Sequence, residues 1–209
     1  MTWDITWMPG PVAGMFFYLY LIVDIFSRKI VGWEVHEREA ADLAATLIQK
    51  AVWVEACISR PLALHADNGS PMKGATMKVT LEKLGIAASY SHTGICSHCR
   101  TPRNFPDELM AEICARGGVT GIGYWQEVIG DTSPEGIAAA VVAAIELLGE
   151  DHVSLGSDFD GAAEEPFDTS ELVVVTDALL KSQLPEETVA KVMGANMARL
   201  LDRLLPENG

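Results

Sequence analysis

The hydrophobic and polar positions follow one rhythm up to about residue 91 and another beyond it. In the first stretch, residues 3–6, 16–25 and 29–35 are short runs rich in Phe, Tyr, Leu, Ile and Val, with Pro9, Gly10, Pro11 and Gly14 between the first two. Such runs bounded by turn residues predict three antiparallel strands. Over residues 39–56 the apolar positions Leu43, Leu47, Ala51 and Val54 recur at helical spacing, and Glu37, Glu39 and Asp42 sit where a helix N-terminus favours negative charge. Pro61 then opens a short strand over 62–64, which runs into His65-Ala66-Asp67-Asn68-Gly69. Residues 74–84 are again helical in period, with Gly85 as the stop, and 87–90 reads as a fifth strand.

From residue 92 onward helices alternate with short strands. Helices are expected over 106–115 and 134–148, strands over 119–124 and 152–156, and two closing helices over 169–181 and 185–205. This is the βαβ order of a parallel sheet or barrel. Pro106-Asp107-Glu108 and Ser133-Pro134-Glu135 mark helix starts, with proline in the first turn and carboxylates at the positive end. No internal repeat or low-complexity tract interrupts the pattern.

Composition narrows the class. With 209 residues, 49% hydrophobic and 21% charged, the chain is globular, and either one large domain or two small ones fit. Its net charge of −14 disfavours nucleic-acid binding over most of the surface. That charge is unevenly spread: through Ser91 there are eight basic and nine acidic residues, a net −1, and beyond it seven and twenty, a net −13. Four cysteines are too few for a disulfide scaffold, so a reducing, cytoplasmic setting is expected. The longest apolar run, residues 15–23, meets Asp24, Ser27, Arg28 and Lys29 and is far shorter than the roughly 20 residues of a membrane span. No secretory signal is visible at the N-terminus.

In the first half the candidate chemistry rests on Asp4, in the first strand, and Asp67, just past the fourth. Two carboxylates on adjacent strand ends can hold magnesium for phosphoryl transfer. Taken alone, that pair is a weak signal, and Asp67-Asn68-Gly69 reads more simply as a turn. The surrounding words are Trp3-Asp4-Ile5-Thr6, Tyr20-Leu21-Ile22-Val23-Asp24 with Ser27-Arg28-Lys29-Ile30-Val31-Gly32-Trp33, and His65-Ala66-Asp67-Asn68-Gly69-Ser70. In order and spacing they resemble the integrase core of bacterial insertion-sequence transposases, a ribonuclease H-like fold with a catalytic acidic triad. The resemblance implies that Asp4 and Asp67 hold the first two triad positions, that Asp24 is structural, and that Arg28 and Lys29 lie on a solvated turn. The family's third ligand, a glutamate on a helix further along, has no counterpart. Arg100, Thr101, Pro102 and Arg103 stand there instead, and Asp107 and Glu108 belong to a different helix start.

A second ordered set follows: Ser91-His92-Thr93-Gly94, Cys99, Arg103-Asn104, Gly117-Gly118-Val119-Thr120-Gly121-Ile122, Gly156-Ser157-Asp158-Phe159-Asp160-Gly161 and Gly194-Ala195-Asn196. It resembles the membrane (renal-type) dipeptidase family, whose members are zinc-dependent (β/α)8 barrels with the active site at the C-terminal ends of the strands. The resemblance implies that His92 is a zinc ligand and that Arg103 contacts the substrate carboxylate. It also implies that Asp158 handles the substrate amine and the transferred proton, with Asp160 and Gly161 completing the loop. A guanidinium fork suits a two-pronged carboxylate contact that lysine does not reproduce. Only the last part of the barrel is represented, and one imidazole is left of the zinc ligand set, whereas catalytic zinc takes about three protein ligands.

Two smaller features carry alternative readings. Cys96-Ser97-His98-Cys99 has zinc-knuckle spacing without a second pair, since Cys114 and Cys57 stand apart, and two ordinary thiols are the simpler account. His65 and Asp67 with His92 would make an improvised zinc site, although the integrase word already accounts for the first two.

The expected fold class is therefore α/β: a partial ribonuclease H-like mixed sheet over 1–91 followed by a partial (β/α)8 barrel segment over 92–209. The chain reads as a fusion of a truncated integrase core with a truncated dipeptidase. Zinc is the implied cofactor of the dipeptidase-like half and magnesium of the integrase-like half; a dipeptide is the implied substrate. The alternatives are a transposase-type DNA-binding protein and a catalytically inert fusion. Incomplete sheets expose edges, so self-association is also expected.

Overall fold

A computed structural model describes residues 1–58, 60–67, 69–159 and 164–205. The chain forms two compact units, one built mainly from Met1–Ala88 and the other from Ser89–Arg203.

In the first unit β1 (Thr2–Pro9), β2 (Phe16–Val23) and β3 (Ile30–His36) are antiparallel neighbours, as the alternating apolar runs predict. The strand β4 (Leu62–Ala66) pairs with β1 in parallel, giving the order β3-β2-β1-β4. One sheet face is covered by α1 (Ala41–Val54), which buries Ala44, Leu47, Ile48, Ala51 and Val52. At Gly32 of β3 a side chain would stand 3.2 Å from Leu47 Cδ1, so the missing Cβ lets the helix sit close on the sheet. The start of α1 is fixed by buried Tyr20, whose hydroxyl accepts from Ala40 N at 2.7 Å and donates to the Arg38 carbonyl at 3.1 Å. The helix α2 (Ala75–Leu84) ends at Gly85, at φ 66°, the left-handed stop that glycine accepts without strain.

The strand β5 (Ile86–Thr93) carries the chain into the second unit, where it pairs in parallel with β6 (Thr120–Ile122), and β6 with β7 (Val153–Leu155). Between the strands run α3 (Asp107–Ala115), α4 (Gln126–Ile129) and α5 (Pro134–Leu148). The Ser133 hydroxyl caps α5 by accepting from Gly136 N. The face of α5 that carries Ile137, Ala140, Val141 and Ala144 is buried, and α6 (Val173–Lys181) packs against this helix.

Several expected boundaries are corrected. The strand expected over 119–124 is limited to the three residues that pair on both sides, because Tyr124 and Trp125 turn away into α4, a helix too short to leave a period in the sequence. The helix expected over 169–181 begins as a 3-10 turn, Thr169–Glu171, capped by Asp168. The single helix expected over 185–205 is broken into α7 (Glu186–Ala190), a wide turn at Lys191–Ala195 and α8 (Asn196–Leu204). Gly194, at φ 154°, takes a conformation that other residues avoid and breaks the ladder there, while the apolar period runs on across the break. Fully buried Asn196 anchors the start of α8 by donating to the Glu150 and Val153 carbonyls at 2.7 and 2.8 Å.

Candidate functional site

In the first unit the parallel register sets Thr2 opposite His65 and Trp3 opposite Ala66, so the next position along each strand is Asp4 and Asp67. Asp4 accepts a hydrogen bond from Thr6 Oγ1 at 3.1 Å, and Asp67 Oδ1 accepts from Gly69 N at 3.0 Å. A third carboxyl belongs to the same electrostatic neighbourhood. Glu39 is held above the ordinary carboxyl range by burial, then by the charge of Asp67 and, less, of Asp4, against a hydrogen bond with the Trp7 side chain. No acidic word in the sequence marked Glu39, because it enters the neighbourhood through the Tyr20 anchor on the preceding segment rather than through strand order. Asp24 shapes the following turn, accepting from Ser27 N at 3.1 Å and from Ser27 Oγ. In that turn Arg28 is exposed and Lys29 pairs with Glu55. Asn68 lies outside the described residues.

In the second unit His92 sits near the end of β5 and Asp158 just past β7, and His92 Nε2 stands 3.7 Å from Asp158 Oδ1. Both residues adopt left-handed backbone, at φ 61° and 60°. For residues other than glycine this conformation carries strain of about 1–2 kcal/mol each, and such strain gathers at functional sites. The close approach of the strand ends depends on glycine: a Cβ at Gly156 would stand 2.8 Å from Ser91 Oγ and 2.9 Å from His92 N.

Arg103 is presented by a loop that Asn104 ties down. The Asn104 side chain is buried, accepts from Gly94 N at 2.9 Å, and donates to the Cys99 and Val128 carbonyls, each at 2.8 Å. The Arg103 guanidinium stands 5.8 Å from the Trp125 ring centroid, within cation–π range, and the His92 ring lies 6.3 Å from the same indole. A cleft of about 780 Å³ is lined by Arg103, Trp125, Glu127, Asp158, Glu164 and Glu165, among others. Sequence reasoning had no signal for Trp125 and Glu165, which no motif contains. Both carboxylate oxygens of Glu165 are buried and have no hydrogen-bond partner among the described residues, and burial, then the Asp158 charge, pushes this carboxyl up to about 7.

The donor set does not by itself make a metal centre. Among the described residues no three His, Cys, Asp or Glu side chains converge into a group that could hold a metal ion. Cys96 and Cys99 are half-buried free thiols, as is Cys57, and burial pushes the thiol of Cys114 up to about 11. Asp160 and Gly161 lie outside the described residues. Among the described residues no helix is long and apolar enough to cross a membrane.

Residues 68–205, more than half of the chain, match the family model "Membrane dipeptidase (Peptidase family M19)". The chain belongs to this family. Residues 1–96 match the model of the integrase core domain, so part of an integrase core is joined here to part of an M19 dipeptidase. Dipeptidase verJ of Clonostachys rogersoniana is 31% identical over 133 residues, covering 61% of this chain and 34% of that protein. The transposase InsF of insertion sequence IS3A from Escherichia coli strain K12 is 29% identical over 102 residues, covering 48% of this chain and 34% of the transposase. The chain thus spans about a third of the length of these curated relatives. Among solved structures, a metallo peptidase from Rhodobacter sphaeroides liganded with a phosphinate mimic of the dipeptide L-Ala-D-Ala superposes with a TM-score of 0.62 at 20% identity. That match covers 81% of this M19 chain and 50% of the other, and it establishes the fold.

Proposed function

We propose that residues 92–209 keep the substrate-binding side of a dipeptidase site, that residues 1–91 are a truncated integrase core, and that this chain alone lacks a complete catalytic centre. The observation that supports this reading is the convergence of Arg103 and Asp158 on one cleft, with His92 beside Asp158. Arg103 clamps the dipeptide carboxylate through two parallel N–H donors, while Asp158 accepts from the free amine. Trp125 lines the same cleft beside Arg103, and the left-handed backbone at His92 and Asp158 fixes the direction in which each side chain leaves the main chain. Zinc, when bound to a full ligand set, polarises the peptide carbonyl and activates water. The described donors fall short of such a set, so no hydrolytic step is assigned to this chain. Calorimetric titration with Ala-Ala tests the reading. Arg103→Lys should weaken binding about tenfold, because lysine offers no fork; equal affinity would sink it.

In the integrase half, the register that brings Asp4 and Asp67 together supports weak magnesium binding, since magnesium is held by one or two carboxylates with several waters. Magnesium-dependent shifts of the Asp4 and Asp67 amide NMR signals, lost in Asp67→Asn, test this. DNA binding is disfavoured by the net charge of −14, and the cytoplasm is the compartment that four free thiols fit. The outer strand β3 exposes Ile30, Trp33 and Val35, which supports self-association. Sedimentation velocity over a range of concentrations tests that reading, and a monomer throughout would refute it.

A further inference from the structure

The sheet of the first unit ends at β3, which leaves one long side of that strand without a neighbour. Free edges pair readily with other chains, and folded proteins guard them with lysine, proline or local irregularity. The strand reads Ile-Val-Gly-Trp-Glu-Val-His, with no lysine or proline, and past a register shift at its start residues 32–36 pair with β2 in unbroken register. Its two faces differ. Gly32 and Glu34 face α1, the first close to Leu47 and the second paired with Lys50. Alternation puts Trp33 and Val35, opposite Leu21 and Leu19, on the other face, where they are 64% and 45% exposed; Ile30, opposite Val23 on that same face, is 55% exposed.

We propose that β3 docks against β3 of a second copy of this chain, antiparallel about a two-fold axis at Trp33, so that the two sheets become one. The proposal rests on the self-association reading above and gives it a strand, a symmetry and a register. Charge favours a second copy over a charged foreign partner. Glu34, the one acidic residue of β3, is paired with Lys50, and the flanking Lys29 and Arg38 are paired with Glu55 and Asp42. Residues 1–91 carry a net charge of −1 and the remainder −13, so contact through this unit avoids the repulsion that two acidic halves would bring. Charge also fixes the register. Centring the pairing on Glu34 sets this residue against its own copy, and like charges directly opposite are destabilising. Centring it on Trp33 sets Glu34 opposite Gly32, brings the two indoles together, and places Val35 beside Ile30 of the other copy. Such a contact is self-complementary and closes at two chains. An aromatic side chain buries about 150–250 Å², so the two Trp33 side chains supply about 250 Å², and a single edge stays near or below the ~1,200 Å² at which specific interfaces begin. The dimer should therefore dissociate in the micromolar range.

The test is sedimentation velocity of the full chain from about 1 to about 200 μM, with hydrogen exchange measured by mass spectrometry at both ends of that range. The chain should pass from monomer to dimer, and amides of residues 30–36 should exchange more slowly at the high concentration. Trp33→Lys sets two like charges opposite each other at the axis and should raise the dimer Kd about tenfold or more. Val35→Lys should act in the same direction, which covers the case in which the Trp33 variant loses its fold. Trp53→Lys, at a 69% exposed position on α1 away from the edge, should leave the Kd unchanged. A dimer that survives both β3 variants, exchange over 30–36 that does not depend on concentration, or growth beyond two copies overturns the proposal while the self-association reading stands. A monomer throughout removes both.

Discussion

A carboxyl group that folding holds neutral makes stability depend on pH in a direction opposite to that of a salt-bridged one, and Glu165 is the place to see it. Burial, then the neighbouring charge of Asp158, raises this carboxyl from its ordinary 4.5 to about 7. Below about pH 4.5 the group is protonated in both the folded and the unfolded chain and contributes no difference. As pH rises from there to about 7, the unfolded chain gains by ionising while the folded chain does not, so stability falls; above about 7 the loss is complete and constant. At ~1.4 kcal/mol per pH unit the full displacement amounts to about 3 kcal/mol. The Glu165 side chain as a whole is only half-buried, and solvent around its stem screens the charge, which reduces the expected penalty to about 1 kcal/mol. Glutamine has nearly the same shape and no charge. Glu165→Gln should therefore match the wild-type melting temperature at pH 4.5 and exceed it by about 2–4 °C at pH 8, in melts followed by circular dichroism. A variant that is less stable at pH 8, or whose advantage is equal at both pH values, would refute the reasoning.

Three further predictions follow from contacts away from Glu165. Asn104→Ala removes three hydrogen bonds and leaves the buried Gly94 amide without its acceptor, so it should cost about 2–3 kcal/mol in urea unfolding and weaken Ala-Ala binding by loosening Arg103. Gly156→Ala places a methyl group 2.8 Å from Ser91 Oγ and 2.9 Å from His92 N and should destabilise by about 1–3 kcal/mol; a neutral effect would contradict the close packing of the strand ends. Asp67→Asn removes a charge that raises Glu39, so the Glu39 carboxyl should titrate at lower pH in the variant when followed by carbon-13 NMR; an unchanged or higher midpoint would separate the two residues.

The parts of this protein that sequence made legible are those that local chemistry determines. Alternation marks β1 to β3, Gly85 marks a helix stop, and Asp4 and Asp67 stand in words whose strand order already implies adjacency. The words around His92, Arg103 and Asp158 singled these residues out before the fold placed Arg103 and Asp158 on one cleft and His92 beside Asp158. Glu165 and Trp125 were not legible, because their importance comes from facing the same cleft as Arg103, a tertiary fact with no local period. Glu39 was visible as a helix-start carboxylate, but its electrostatic tie to Asp67 depends on Tyr20 fixing the entry to α1. The break at Gly194 was hidden because a glycine within an apolar helical period reads as tolerated, whereas here it takes a backbone conformation that other residues avoid.

The central claim is that this chain keeps the binding half of a dipeptidase site without a complete metal centre. Saturation-transfer NMR on Ala-Leu mixed with the full chain and zinc tests it most directly, because one sample reports both contact and turnover. The account predicts saturation transfer to the peptide that is lost in Arg103→Ala, with no free alanine or leucine accumulating over a day. Release of free amino acids that disappears in Asp158→Asn would contradict it by revealing a working metal site, and absence of saturation transfer would contradict it by removing the binding site.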